Sequence, residues 1–228
     1  GTIIGGDNGG CYRSDNYGDN WTQTAGSDIP GSGLENDCTP VVVDPTNPNR
    51  VYCGRSYYVG FLKSTDGGYH WTWTDVSYVV RGIAVNPDNP ARVIACGEGK
   101  LKLSTNYGDT FVDKVVGISF QAVVHSPSDS NIVYATSTSG GIWKSTDAGD
   151  SWSQVSGSEI YSYSRIAVHP TNPDIIYCVT SGRGIARSTD GGHTFTFLNS
   201  GLPTEIAVGY MDVQPGTGAV YAFVNYVG

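Results

Sequence analysis

A chain of 228 residues with 13 Lys and Arg against 21 Asp and Glu has a formal charge of −8 and no clustered basic run. That balance excludes a phosphate-binding surface for nucleic acid and a docking face for an anionic membrane. Charged residues at 15%, 31 glycines and 15 tyrosines describe short aromatic-rich strands joined by many turns, and no run of about 18 apolar residues offers membrane insertion.

The chain opens at Gly1 without Met or a leader pattern, which reads as a processed chain or a part of something longer. Residues 2–24 supply three strands, the last two joined by Ser14-Asp15-Asn16-Tyr17-Gly18-Asp19-Asn20-Trp21. Asn20-Trp21-Thr22 is a formal glycosylation sequon, but its Trp is expected to be packed. The Gly-rich segment from Thr24 to Cys38 is the longest predicted loop, a length more often functional than needed for closure.

A full repeat begins after it. Val41-Val42-Val43 is an apolar run expected to be buried on both faces, and Asp44-Pro45-Thr46-Asn47-Pro48 forces a turn into Arg50-Val51-Tyr52. Strands are expected at about 39–44, 50–55, 60–65 and 70–75, and the same order recurs from about 81, 120 and 163. Residues 206–225 supply two more strands. The turn between the third and fourth strands returns as Ser64 to Trp71, Ser104 to Phe111, Ser145 to Trp152 and Ser188 to Phe195. A period of about 40–50 residues is that of propeller blades, so the predicted fold is an all-β propeller of four-stranded blades. The expected organisation is one domain over 1–228, incomplete at both ends; the alternative is a five-bladed ring in which 207–213 completes the first blade.

Within each motif the polar residues have a mechanical reason. Ser14, Ser64, Ser104, Ser145 and Ser188, with Asn16, Asp66, Asn106, Asp147 and Asp190, are placed to accept turn N–H groups. Gly18, Gly68, Gly108, Gly149 and Gly192 allow positive φ, and Trp21, Trp71, Phe111, Trp152 and Phe195 bury apolar area between blades. A carboxylate consumed in this way is a poor general acid. Cys11, Cys38, Cys53, Cys96 and Cys178 are odd in number and lack C-x-x-C spacing, so no disulfide framework is expected, and Cys53 and Cys178 read as small core positions. His70, His125, His169 and His193 show no metal-ligand spacing, so neither metal nor cofactor is expected.

The motifs are identified as Asp-box, or BNR, repeats. Families carrying them include sialidases, sortilin-like receptors, photosystem assembly factors and xyloglucan-cleaving glycosidases. The run Asp44 to Tyr52, with Ser188 to Phe195 and Gly201-Leu202-Pro203, most resembles the xyloglucanase group. The resemblance implies that Asp7, in Asp7-Asn8-Gly9-Gly10-Cys11-Tyr12-Arg13, occupies the place of a catalytic carboxylate, whose partner acid that family draws from a second propeller. The sialidase Arg-Ile-Pro signature is absent, and Arg165-Ile166-Ala167 does not replace it.

Ligands of such blades usually bind at the end opposite the motifs. There the sequence offers Tyr57, Tyr58, Tyr78, Tyr161 and Tyr163 with Arg81, Glu98, Glu159 and Arg183, a surface suited to sugars or a protein partner. The leading expectation is an extracellular or cell-surface binding scaffold. The alternatives are a glycoside hydrolase needing further blades or a second propeller, and a structural repeat of a virion, filament or surface assembly.

Overall fold

A computed structural model describes residues 3–7, 10–25, 38–55, 60–155, 163–180, 184–202 and 206–226, with the side chains of 3, 5–7, 10, 25, 163–164, 206–210 and 223–226 outside the description. Every regular element among the described residues is a strand. β1 (Ile3–Asp7), β2 (Gly10–Ser14) and β3 (Thr22–Ala25) form a three-stranded sheet. Four complete sheets follow, each in chain order and antiparallel. The first of these holds β4 (Val41–Asp44), β5 (Asn47–Gly54), β6 (Phe61–Ser64) and β7 (Thr72–Trp73). Next come β8 (Val80–Val85), β9 (Val93–Gly97), β10 (Lys100–Ser104) and β11 (Val112–Val116). The fourth sheet contains β12 (Phe120–His125), β13 (Val133–Ser137), β14 (Ile142–Ser145) and β15 (Ser153–Gln154). β16 (Tyr163–Val168), β17 (Ile176–Thr180), β18 (Gly184–Ser188) and β19 (Thr196–Phe197) form the fifth, and β20 (Ile206–Val213) pairs with β21 (Val220–Tyr226). These are the four-stranded blades that the repeat predicts.

The doubly buried strand is the second of each blade, not the first. Val93–Gly97, Val133–Ser137 and Ile176–Thr180 are buried throughout, whereas Val41–Asp44 is mostly half-buried. The reason is position: the second strand has hydrogen-bonded neighbours on both edges, while the first is the edge of its sheet. The fourth strands β7, β15 and β19 are two residues long and exposed, a form of outer edge that offers little backbone for a foreign strand to pair with.

Compact packing divides the chain into two units, Gly1–Glu98 with Lys102–Asp113, and Gly99–Leu101 with Lys114–Gly228. In the first unit, Trp71 joins Cys11, Val51 and Leu62, and Phe111 joins Tyr52, Phe61 and Val93, so each motif aromatic packs against the sheet before its own. In the second, Phe195 packs against Tyr134, Ile142, Ile176 and Cys178. Trp21 departs from the expectation. It is 48% exposed, standing in the first sheet of this chain with no earlier one to pack against.

The cysteine expectation also needs correcting. Cys38 and Cys53 form a disulfide, with Cα atoms 5.4 Å apart, because the segment entering β4 lies beside β5. Cys11, Cys96 and Cys178 are free and buried; burial pushes the Cys11 thiol up to about 11, so none of the three is a poised nucleophile.

Candidate functional site

The motifs show what their carboxylates are used for. In all five, the serine Oγ accepts the glycine N–H at 2.8 to 2.9 Å, at Gly18, Gly68, Gly108, Gly149 and Gly192. The same hydroxyl donates to the Asn or Asp side chain two residues on. That oxygen then accepts the N–H of Asn20, His70, Thr110, Ser151 or Thr194. Partial burial opposes ionisation of Asp66 and Asp147, but these donors outweigh it and hold both carboxyls at about 2. Hydrogen bonds from the Thr194 hydroxyl and N–H hold Asp190 lower still. Such groups are permanently charged turn anchors and cannot deliver a proton near neutrality.

A second device ties each motif to the turn before it. The carbonyls of Asn49, Ala91, Asn131 and Asp174 accept the N–H groups of Gly67, Tyr107, Ala148 and Gly191. The first-to-second and third-to-fourth turns therefore share one end of every complete blade. The first of these turns is itself capped by its leading side chain: Asp44 accepts from Thr46, Asn47 and Arg50, and Asn86 accepts from Asp88 and Asn89. His169 takes the same place in the fifth blade, its Nδ1 accepting from Thr171, and His70 lies beside Asp66. Both are turn residues, and among the described residues no group of three His, Cys, Asp or Glu is arranged for a metal.

At the opposite end, where the sequence places the ligand face, lie the loops of the second and third sheets. A frame of backbone bonds holds these loops together: Val80 N–H to Arg55 O at 3.0 Å, Gly60 N–H to Tyr78 O at 3.1 Å, and Glu98 N–H to Val79 O at 3.1 Å. Two glycines make the close approach possible. A Cβ on Gly97 would overlap the Val79 carbonyl, and one on Gly60, at φ 141°, would overlap the Trp73 ring. Trp73 thus sets the edge of its six-membered ring against Gly60, with the buried Arg55 guanidinium 5.4 Å from its centroid, yet remains 39% exposed. Its ring is therefore held at one edge by Gly60 and over one face by Arg55.

Nearby in the chain, Arg81 and Glu98 pair at 2.9 Å with both side chains partly exposed. Tyr78, predicted to face the ligand, does not: it is 7% exposed, packs with Val80, Ala95 and Phe111, and donates its hydroxyl to Ala95 O at 2.8 Å. Tyr57, Tyr58, Glu159, Tyr161 and Arg183 lie outside the described residues. Tyr163 opens β16 opposite Thr180, and Asp7 ends β1 opposite Gly10, but the side chains of both lie outside the description. The reading of the loops missed Trp73, although a signal was present. Trp73 stands two residues past the motif Trp71, where the fifth blade has Phe197, also 39% exposed.

Comparison with known proteins agrees with this fold. The family model described as Sortilin, neurotensin receptor 3 matches residues 99–203. A search of curated protein sequences finds no match. Among solved structures, an ancestral GH74 enzyme superposes with a TM-score of 0.81 at 21% identity, covering 99% of this chain and 33% of that one. The GH74 xyloglucanase from Xanthomonas campestris gives 0.73 at 17% identity, over 96% of this chain and 39% of its own. YCF48 bound to a D1 peptide gives 0.59 at 15% identity, over 78% and 60%. The chain thus spans a third to two fifths of the GH74 chains it resembles, and these likenesses establish the fold.

Proposed function

We propose that this chain, a module of Asp-box propeller blades, binds uncharged glycans through the loops opposite its motifs, around Trp73, Arg81 and Glu98. The observation that carries the reading is Trp73: an indole whose ring edge abuts Gly60 and whose face carries the Arg55 guanidinium, with over a third of its surface open. An open ring of fixed orientation stacks on the C–H face of a pyranose at little entropic cost, and the Arg81–Glu98 pair supplies donors and acceptors for hydroxyls. The acidic charge balance argues for a neutral ligand. The likeness to a xyloglucanase makes β-glucans the first class to try, and the Cys38–Cys53 disulfide supports a site of action outside the reducing cytosol.

The test is affinity electrophoresis in gels containing xyloglucan or mixed-linkage β-glucan. Trp73→Ala is expected to weaken retardation about tenfold, the scale of one aromatic contact, with unchanged mobility in plain gels. Equal retardation of the variant would remove the loop end from consideration.

The second reading is hydrolysis, favoured by the superposition of nearly the whole chain on an ancestral GH74 enzyme. Asp7 would then be one of two carboxylates flanking the scissile bond, the other coming from outside this chain. Loss of glucan cleavage in the Asp7→Asn form of the complete protein, with binding kept, supports it; unchanged cleavage rejects it.

A further inference from the structure

One outer strand breaks the pattern of short sheet edges. β11 is five residues long, whereas its counterparts β7, β15 and β19 have two. The length has a local cause. β9 and β10 are joined by Glu98 and Gly99 alone, so β10 gives β11 a neighbour along its whole length, and the pairing runs on to the Gly117 N–H on Gly99 O at 2.8 Å. Val112, Val115 and Val116 favour extended backbone there. Among the described residues β10 is the one strand beside β11, which is therefore an edge. Alternate residues of such an edge turn their N–H and C=O groups away from the sheet.

The side chains do not guard this edge. Val112 and Val116, four residues apart and so on one face, are 65% and 64% exposed. Edge strands are commonly protected by a charge that repels a second strand. Here both charges of β11 are engaged within the chain. Lys114, between the two valines on their face, reaches Asp150 at 2.9 Å, and Asp113 on the other face reaches Lys102 at 3.0 Å. The strand is thus extended, apolar on its open face and electrically compensated.

We propose that β11 is the edge by which two copies of this chain associate, their strands pairing antiparallel about a two-fold axis through Lys114. The strand's own sequence selects this partner. Two-fold pairing sets residue i of one copy opposite j of the other and j opposite i, with facing residues on one face of the sheet. Centred on Lys114, it places Val112 of each copy opposite Val116 of the other, two β-branched cross-strand pairs. Centred on Asp113 or Val115, it would place a valine opposite Lys114 instead. The two lysines that meet on the axis each keep the Asp150 of their own chain, which offsets their repulsion. A pair of five-residue strands is a small interface, so the dimer is weak and forms at roughly 0.1 mM protein. The contact uses no residue of the Trp73 surface and does not depend on glycan binding.

The test is sedimentation equilibrium of the full chain from about 10 µM to 1 mM, where the parent should pass from monomer toward dimer. Two double variants carry the argument. Val112→Lys with Val116→Lys sets like charges opposite each other in both cross-strand pairs and should weaken association about tenfold or more. Val112→Lys with Val116→Glu sets Lys opposite Glu in both pairs and should associate as the parent does. Both variants put two charged groups at the same exposed positions, so the difference between them reads the pairing and not the fold. A parent that stays monomeric at about 1 mM overturns the proposal. Association kept in the Lys and Lys variant would place the contact on another surface. Equal loss in the two variants would mean that β11 does not meet a second β11, as for an edge that takes a foreign strand, and overturns it too.

Discussion

At the scale of single residues, the serine of each motif is the pivot: one hydroxyl accepts the glycine N–H and donates to the Asn or Asp beside it. Asn16 and Asn106 do the work of Asp66, Asp147 and Asp190 because an amide oxygen accepts the same N–H group. Only the carboxylates bring a pH dependence. Their folded values, at about 2 for Asp66 and Asp147, lie below the ordinary carboxylate value of about 3.9, so the unfolded chain binds protons first. Their contribution is complete above roughly pH 4 and is lost as pH falls toward 2. A chain carrying Asp66→Asn, Asp147→Asn and Asp190→Asn should therefore melt near the parent temperature at pH 7 and lose less stability between pH 4 and 2. Parallel curves for the two proteins would contradict this role. The turn chemistry was legible in the sequence because it repeats five times. The same repetition did not reveal that Trp21 stands exposed while Trp71 and Phe111 are buried, since burial depends on which sheet lies alongside.

At the scale of elements, the second strand is the centre of each blade and the loop ends are fixed to it by close backbone approach. Gly97 closes β9 directly against the Val79 carbonyl, so Gly97→Ala must displace that backbone; a loss of about 1–3 kcal/mol in urea unfolding is expected, as for overpacking elsewhere. Gly99→Ala is the comparison, for there the φ of 70° alone opposes a Cβ and no atom stands in its way, whereas at Gly97 contact alone opposes it. A smaller loss at Gly97 than at Gly99 would show that the Val79 contact does not set the cost. The Cys38–Cys53 bond ties the segment entering β4 to β5. It closes a separation of 15 residues, for which chain entropy gives about 3 kcal/mol, so a paired Cys38→Ser, Cys53→Ser protein should unfold at distinctly lower urea concentration. No change would mean that the entry to β4 is held by packing and backbone hydrogen bonds alone. Sequence reading missed this bond because Cys38 falls in an unrepeated segment, with no second copy to reveal its neighbour.

For the whole molecule, the repeat disclosed the blade and its strand order, and it directed the search for ligands to the end opposite the motifs. It could not rank the aromatics at that end. Tyr78 and Trp73 both approach the loops, but Tyr78 points between sheets to Ala95 and Phe111, whereas the glycine at position 60 leaves the Trp73 ring outside. That difference depends on neighbours from separate parts of the chain, and no spacing rule encodes it. The central claim is that this blade module meets an uncharged glycan on the Trp73 surface. The five tryptophan indoles make it directly measurable by nuclear magnetic resonance during titration with xyloglucan oligosaccharides. The Trp73 indole N–H signal should shift and saturate, while that of Trp71, 6% exposed and bonded to Gly68 O, stays in place. A Trp73 signal unmoved at saturating oligosaccharide would contradict the account.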